Sequence, residues 1–234
     1  MKGMVLAAGL GQRMRPLTLH TAKPLLPLRG RSLLDHALDR LHEAGVREAV
    51  VNAHWQAPRV VEAMAGRRAP QVRVQLESEL LETGGGVRLA LPLLGPEPFF
   101  VVNGDAFWLD GPVPALTRLA RAFDPARMDA LLMMVPTTRI ENAPARGDFM
   151  MDGWGALRRP APREVSPFLF GGMQVLRPEL LAAEPVERFS LNRAYDRAAS
   201  AGRLFGIAHD GVWFHLSTPG DLGRAERRLE RGLV

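Results

Sequence analysis

Glycines and cations near the amino terminus have the types and spacing of a phosphate-binding loop. Gly9 and Gly11 follow a short apolar run, and glycines allow tight turns in which amide N–H groups approach a ligand closely. The cations of the same segment are Arg13, Arg15 and Lys23. Free amides and positive charge in one loop predict a polyphosphate ligand.

The spacing in this loop excludes two common nucleotide motifs. A dinucleotide fingerprint needs a third glycine where the chain has Met14, and a Walker A pattern is absent. What remains is Leu-Ala-Ala-Gly-x-Gly-x-Arg-x-x-Pro-Leu-Thr at 6–18, followed by Ala-Lys-Pro-Leu at 22–25. The alternative interpretation is an ordinary strand and turn with scattered surface arginines.

Two further stretches place functional groups beside predicted strands. In Leu-Glu-Thr-Gly-Gly-Gly, Gly84 and Gly85 would let a flat base lie against the backbone, and the alternative is a turn capped by Thr83. Asp105 ends Val-Val-Asn-Gly-Asp, at the sheet edge where open α/β sheets bind ligands. Such a carboxylate suits Mg²⁺ bridged to phosphates, and the alternative is a turn or helix cap.

Together these stretches resemble the sugar-1-phosphate nucleotidylyltransferases, and among them the bacterial N-acetylmuramate-1-phosphate uridylyltransferases of peptidoglycan recycling. Further shared motifs are Val-Asn-Gly-Asp at 102–105 and Arg-Gly-Asp-Phe at 146–149, and the resemblance covers nearly the whole chain. Ala22 replaces a proline of the family pattern. The resemblance implies a Rossmann-like α/β fold of the nucleotide-diphospho-sugar transferase type. Its sheet would be mixed, mostly parallel and flanked by helices, in a single domain over 1–234.

The resemblance also implies roles for individual residues. The expected catalytic residues are Arg13, Lys23 and Asp105. The expected nucleotide contacts are Leu6, Ala7, Ala8, Gly9, Gly11, Arg13, Gly84 and Gly85. The expected sugar contacts are Asn103, Asp148 and Gly171, and the alternative for Gly171 is a β-bulge with the next glycine. The implied reaction joins a nucleoside triphosphate, with UTP favoured, to a sugar 1-phosphate and releases pyrophosphate, with Mg²⁺ or Mn²⁺ as cofactor.

One position departs from the usual pattern of that branch, Trp-x-Asp-Val-Gly-Thr-Pro. Here His215 stands where the second metal carboxylate is expected, and Ser217 replaces the glycine. A neutral imidazole is a poorer ligand for Mg²⁺ than a carboxylate and suits Mn²⁺ better. His215 can therefore be a metal ligand beside Asp105, a phosphate contact when protonated, or a residue that only fills the site.

Three functions remain open at this point. The first is the uridylyltransferase, and the second is a guanylyltransferase acting on mannose or heptose 1-phosphate. The third is a catalytically inactive nucleotide-binding module that has lost a metal carboxylate. We expect an enzyme, because the glycine loop, its cations and Asp105 are all present and phosphates can complete a metal shell.

Composition and charge limit the class of protein. The 234 residues are 47% hydrophobic, which suffices for one sizeable core, and the absence of cysteine excludes disulfides and thiolate metal sites. No apolar run approaches the ~20 residues of a membrane span, and no signal peptide is recognisable, so we expect a cytoplasmic protein. The net charge is +5, but the cations are dispersed along the chain and there is a single Tyr. This pattern favours anionic small substrates over nucleic acid. We expect a monomer or small homo-oligomer.

The elements that would position these residues alternate between strand and helix up to Asp105, which favours a mostly parallel sheet. Strands are predicted over 4–8, 48–53, 72–76, 98–103, 129–135, 168–176, 204–208 and 212–216. Helices are predicted from a cap at Ser32 to Gly45, and over 58–66, 84–91, 114–123, 190–201 and 219–231. Pro92 should stop the third helix, a loop is expected over 136–147, and a hairpin over 149–157.

Overall fold

The computed structural model describes residues 1–140 and 147–232. Its strands are β1 (Gly3–Leu6), β2 (Pro27–Leu28), β3 (Arg31–Ser32), β4 (Glu48–Ala53), β5 (Gln71–Leu76), β6 (Phe99–Asn103), β7 (Phe107–Leu109), β8 (Ala130–Pro136), β9 (Met150–Met151), β10 (Leu157–Arg158), β11 (Phe168–Leu176), β12 (Leu204–Ala208) and β13 (Val212–Phe214). Its helices are α1 (Leu33–Glu43), α2 (Ala57–Met64), α3 (Glu82–Leu94), α4 (Ala115–Ala122), α5 (Glu179–Ala182), α6 (Asn192–Ser200) and α7 (Pro219–Glu230).

Seven strands form one mixed sheet in the order β12-β8-β11-β6-β1-β4-β5. The strand β11 is antiparallel to both of its neighbours, and the other six run in one direction. The carboxyl ends of β1, β4, β5 and β6 therefore meet at one edge. This architecture confirms the predicted mixed, mostly parallel sheet flanked by helices.

The apolar strands are buried on both faces of the sheet. Because successive side chains of a strand point to opposite faces, Met4 and Val5 belong to different hydrophobic clusters, as do Val101 and Val102. One cluster is completed by α1, α2 and α4, and the other by α3, α5 and α6. In the described residues, no helix combines the length and the hydropathy that a bilayer crossing requires.

Local capping signals define two of the helices. The Ser32 hydroxyl accepts a hydrogen bond from the Asp35 amide at 3.0 Å at the start of α1, and Gly45 follows its end with φ +87°. Thr218 and Asp221 form a reciprocal capping box at the start of α7. Both predicted helix positions are confirmed to within a residue or two.

Several predicted boundaries are wrong for identifiable reasons. The first strand ends at Leu6 rather than position 8, because the Ala7 amide donates to the Asn52 side chain at 2.7 Å instead of to a strand. The helix α3 starts at Glu82 and contains Pro92, since a proline in the last turn removes only one helical hydrogen bond. The short β7, which pairs with β13, was not predicted.

The second half of the chain is less regular. The predicted hairpin is confirmed as β9 and β10, whose turn is closed by hydrogen bonds from two amides to the Asp152 carboxylate. The predicted loop over 136–147 contains a 3₁₀ turn at Thr137–Arg139. Residues 141–146, including Arg146 of the Arg-Gly-Asp-Phe motif, lie outside the described residues.

Candidate active site

The glycine loop is held in place by partly buried hydrogen bonds. Gly11 adopts a left-handed conformation with φ +59°, and the buried Thr18 hydroxyl donates to its carbonyl oxygen at 2.7 Å. The indole N–H of Trp55 donates to the Thr18 carbonyl at 3.0 Å. The loop that follows β1 is therefore tied to the segment between β4 and α2, while Arg13 stays exposed at its surface.

A cleft of about 680 Å³ opens at the carboxyl ends of β1, β4 and β6. Arg13, Lys23 and Asp105 all line it, so the three predicted catalytic residues share one site. Of the predicted nucleotide contacts, the following also line it: Leu6, Ala7, Ala8, Gly9 and Gly11. The cations and glycines of the loop thus share with the Asp105 carboxylate a cavity of the size that a small-molecule ligand needs.

Lys23 and Asp105 form the central ion pair of this cleft. The Lys23 ammonium lies 2.6 Å from a carboxylate oxygen of Asp105, and the exposed fractions of the two side chains are 11% and 40%. The lysine is thus nearly buried, while the carboxylate still faces the cleft. The Asp105 carboxylate therefore remains accessible to a ligand in the cleft.

The donor set for a metal ion is small. In the described residues, no group of three or more His, Cys, Asp or Glu side chains is arranged to hold a metal. One carboxylate facing a cleft fits Mg²⁺, which commonly takes one or two carboxylates and completes its shell with phosphate oxygens and water. Asp105 is therefore compatible with a substrate-borne Mg²⁺ and not with a metal held by protein ligands alone.

Gly84 and Gly85 do not line the cleft, which corrects the prediction that a base lies against them. Both amides donate to the Phe189 carbonyl, at 2.8 and 3.2 Å. A Cβ on Gly84 would lie 2.3 Å from the Phe189 ring, and one on Gly85 would lie 2.1 Å from the Glu187 carbonyl. These glycines permit close packing of residues 187–189 on α3, behind the cleft wall.

The wall itself is made by the residues just before the glycines, Leu80, Glu82 and Thr83. Glu82 has a left-handed backbone (φ +60°) and pairs with Arg188 at 2.8 Å. The Thr83 hydroxyl accepts from the Leu191 amide at 2.9 Å, so it holds the same 187–191 segment in place. This stretch therefore borders the cleft through Leu80, Glu82 and Thr83 and not through the two glycines.

On the other side of the cleft, only Asn103 of the predicted sugar contacts lines the cavity. Asp148 accepts a hydrogen bond from the Phe170 amide at 2.8 Å. A Cβ on Gly171 would lie 3.0 Å from Val135, and the Gly171 carbonyl accepts from the Trp213 indole at 2.9 Å. Neither Asp148 nor Gly171 borders the cavity, and the bulge alternative describes the surroundings of Gly171.

The bulge nevertheless supports the site. The next glycine, Gly172, has φ +79°, and a Cβ there would lie 3.1 Å from the Asn103 side chain. The register of β11 against β8 shifts at this point. A residue with a side chain at 172 would push Asn103 toward the cleft, so the glycine holds space for Asn103 rather than for a ligand.

His215 lies apart from the cleft. It lines a separate small pocket with Trp213, Asp221, Arg224 and Arg228, and its ring is 5.7 Å from that of Trp213. The structure therefore does not place His215 among the residues that line the cleft with Asp105. The interpretation as a residue that fills space agrees best with this placement.

Ser217, two residues further on, does line the cleft. Its amide donates to the Asp221 carboxylate at 3.0 Å. Burial alone would raise the pKa of Asp221, but hydrogen bonds from Thr218 and Ser217 lower it below its usual value. The α7 capping box therefore also anchors the segment that brings Ser217 to the site.

Sequence reasoning missed several lining residues, among them Asn52, Leu80, Ser190 and Ser217. Asn52 could have been predicted as a cleft residue from the sequence, because it is a polar residue near the carboxyl end of an apolar strand, as Asn103 is. Ser217 was noted only as a departure from the family pattern, and Ser190 carried no signal, since both reach the site through the packing of distant segments.

Comparison with known proteins places this arrangement in a family. Residues 3–208 match the model of the MobA-like NTP transferase domain. The chain belongs to the MobA-like NTP transferase family. One member, from Caulobacter vibrioides, is named N-acetylmuramate alpha-1-phosphate uridylyltransferase, and it is 41% identical over 97% of this chain and 96% of its own length. A Neisseria meningitidis protein of the same name is 36% identical over 93% and 94%.

The fold of this NTP transferase is also found in solved structures. A UDP-glucose pyrophosphorylase complexed with UDP-glucose superposes with a TM-score of 0.83, at 16% identity, over 99% of this chain and 98% of that one. This likeness confirms the predicted fold type. Family membership confirms the prediction of an enzyme of the nucleotidyltransferase class, and both relatives bear the name of the predicted branch.

Proposed function

We propose that this protein transfers a uridylyl group from UTP to a sugar 1-phosphate, N-acetylmuramate 1-phosphate, with release of pyrophosphate. The observation that carries the proposal is the single cleft that contains the glycine loop, Arg13, Lys23 and Asp105. The substrates are inferred from two relatives that the chain matches over nearly their whole length.

In the proposed reaction, a phosphate oxygen of the sugar 1-phosphate attacks the α-phosphorus of UTP. The bond from the α-phosphorus to the oxygen that bridges it to the β-phosphorus breaks, and that oxygen leaves with pyrophosphate. The attacking oxygen is already anionic, so the protein needs no general base. Its contribution is positioning and the stabilisation of developing charge.

The cleft residues suit these tasks. Arg13 and the loop amides would neutralise the β- and γ-phosphates, and Lys23 would hold the α-phosphate or the sugar phosphate as a point charge. Mg²⁺ held by Asp105 would supply Lewis-acid stabilisation of the α-phosphate, and Mn²⁺ is an alternative. The base would lie between Ala7–Gly9 and the wall of Leu80, Glu82 and Thr83, and Asn103 would face the sugar.

A substrate panel tests the proposal. Pyrophosphate release is measured for UTP, GTP, CTP, ATP and dTTP, each with N-acetylmuramate 1-phosphate, N-acetylglucosamine 1-phosphate and mannose 1-phosphate, and with Mg²⁺ or Mn²⁺. We expect UTP with N-acetylmuramate 1-phosphate to give the highest kcat/KM. A preference for GTP and mannose 1-phosphate would show a guanylyltransferase, and nucleotide binding without pyrophosphate release under either metal would show an inactive module.

Four further expectations belong to the same proposal. We propose that residues 1–234 act as one nucleotidyltransferase domain, as a monomer or small homo-oligomer. We also propose that the protein works in the cytoplasm, where nucleoside triphosphates are made. Its substrates would be small molecules rather than nucleic acids or membranes.

A further inference from the structure

A buried chain of hydrogen bonds lies directly behind the Ala7 end of the cleft. The Ala7 amide donates to Oδ1 of Asn52 at 2.7 Å, and Nδ2 of Asn52 donates to Oε1 of Glu77 at 2.7 Å. The other oxygen of Glu77, Oε2, accepts from the Leu81 amide at 3.1 Å. These bonds join the ends of β1, β4 and β5, which are neighbours in the sheet, to the start of α3.

Glu77 is an unusual component of such a chain. Its exposed fraction is 6%, and in the described part of the protein no cationic side chain pairs with it. A buried carboxylate without a cation is costly and is retained only where hydrogen bonds satisfy it. Both oxygens of Glu77 accept hydrogen bonds here, so each has a polar partner inside the protein.

The carboxylate decides which way the Asn52 amide faces. Because Oε1 of Glu77 can only accept, it holds Nδ2 of Asn52 on its side and leaves Oδ1 for the Ala7 amide. A Cβ on Gly86 would lie 2.8 Å from both Nδ2 of Asn52 and Oε1 of Glu77, so α3 presses directly on the pair. The third glycine of the run therefore makes room for this contact.

We propose that Glu77 and Asn52 are positioning residues that hold the Ala7 backbone in the conformation that receives the nucleotide base. Asn52 and Ala7 line the cleft and Glu77 lies behind them, so Glu77 acts through Asn52. The proposal rests on the proposed function for the identity of the ligand. Its structural part, the restraint on Ala7, is independent of that function.

The order of donors and acceptors gives a sharp test. In Glu77→Gln, every arrangement of the two side-chain amides leaves two N–H groups facing each other, at Ala7, Asn52 or Leu81. In Asn52→Asp, two carboxylates face each other. The double variant Asn52→Asp with Glu77→Gln restores every pair. The new amide at position 77 then donates to the new carboxylate at position 52 and accepts from Leu81, while that carboxylate also accepts from Ala7.

Two quantities are measured for the full chain and these variants. Amide hydrogen exchange at Ala7 is followed by NMR without nucleotide, and the Kd values of UTP and GTP are measured by titration calorimetry with Mg²⁺. Glu184→Gln is the matched control, because Glu184 is also a buried carboxylate (5% exposed) but pairs with Arg193 and Arg197 away from the cleft.

We expect Glu77→Gln to speed exchange at Ala7 and to raise the nucleotide Kd about tenfold or more, since one buried donor is left unpaired. The double variant should return both quantities close to wild type, and Glu184→Gln should change neither. If Glu77→Gln does not fold, a folded double variant supports the proposal.

Unchanged exchange and Kd in Glu77→Gln would overturn the proposal, and so would a double variant no better than the single one. If wild type binds neither nucleotide, the proposed function fails, and exchange at Ala7 still decides whether the restraint exists.

Discussion

At the scale of single residues, Arg13 and Arg15 form a natural pair for comparison. Both are exposed cations of the glycine loop, but only Arg13 lines the cleft. We expect Arg13→Ala to lower kcat/KM by about 10²- to 10³-fold, because it removes a charge aimed at the leaving pyrophosphate. Arg15→Ala should stay near wild type. Steady-state pyrophosphate release checks both, and equal losses in the two variants would contradict the assignment.

Substitutions at Lys23 and Asp105 should affect metal binding in opposite directions while both lower turnover. In Lys23→Met the carboxylate loses its 2.6 Å ammonium partner, so Mn²⁺ should bind more tightly without nucleotide, while turnover falls. In Asp105→Asn we expect weaker Mn²⁺ binding and turnover lower by orders of magnitude. Electron paramagnetic resonance of free Mn²⁺ measures the affinities. A lysine variant with weaker metal binding than wild type would show that the ammonium does not compete for Asp105.

At the scale of elements, the glycines at the start of α3 differ from surface glycines in what surrounds them. A Cβ on Gly85 would lie 2.1 Å from a backbone carbonyl, whereas Gly66 is exposed and has open space around it. We expect Gly85→Ala to destabilise the protein by about 1–3 kcal/mol or more, because the 187–189 segment must move away. Gly66→Ala should be neutral or slightly stabilising. Urea unfolding at fixed pH measures both, and similar midpoints would refute the packing role.

The same elements show what the sequence could and could not predict. The bounds of β4, β11 and β12 were predicted with little or no error. The spacing of apolar residues and the strand-breaking residues on either side are local features of the sequence. The roles of Gly84 and Gly85 were not predictable, since they depend on Phe189 and Glu187, a hundred residues away in the chain. That the glycine loop and Asp105 share one cleft was predictable, because strand ends of a parallel sheet lie at one edge.

At the scale of the whole molecule, one buried histidine should shape the response of stability to pH. His209 is 2% exposed, and burial lowers its pKa, while the carboxylates of Asp110 and Asp210 offset only part of this effect. The unfolded chain therefore binds a proton more readily than the folded one. The free energy of unfolding should therefore have its full value above the pKa of histidine in the unfolded chain, about 6.5, and should decrease as the pH drops below that value.

This effect can be isolated by substitution. His209→Leu removes the group that must protonate, so the loss of Tm between pH 7.5 and pH 5 should become smaller. His20→Gln changes an exposed histidine and should leave the pH profile as in wild type. Thermal unfolding across this range provides the measurement. A wild-type slope in the His209 variant would assign the acid sensitivity to other groups.

The order of strands in the sheet has a consequence for synthesis on the ribosome. The first 103 residues supply β1, β4, β5 and β6, which are adjacent in the sheet. Of the cleft residues, Lys23 lies within that span and Asp105 lies two residues beyond it. A nascent chain can therefore pair this half before Ala130 has been made. The flank of α3 at Gly84 and Gly85 stays uncovered until residues 187–189 emerge, so this surface of the early half is completed only by the late half of the chain.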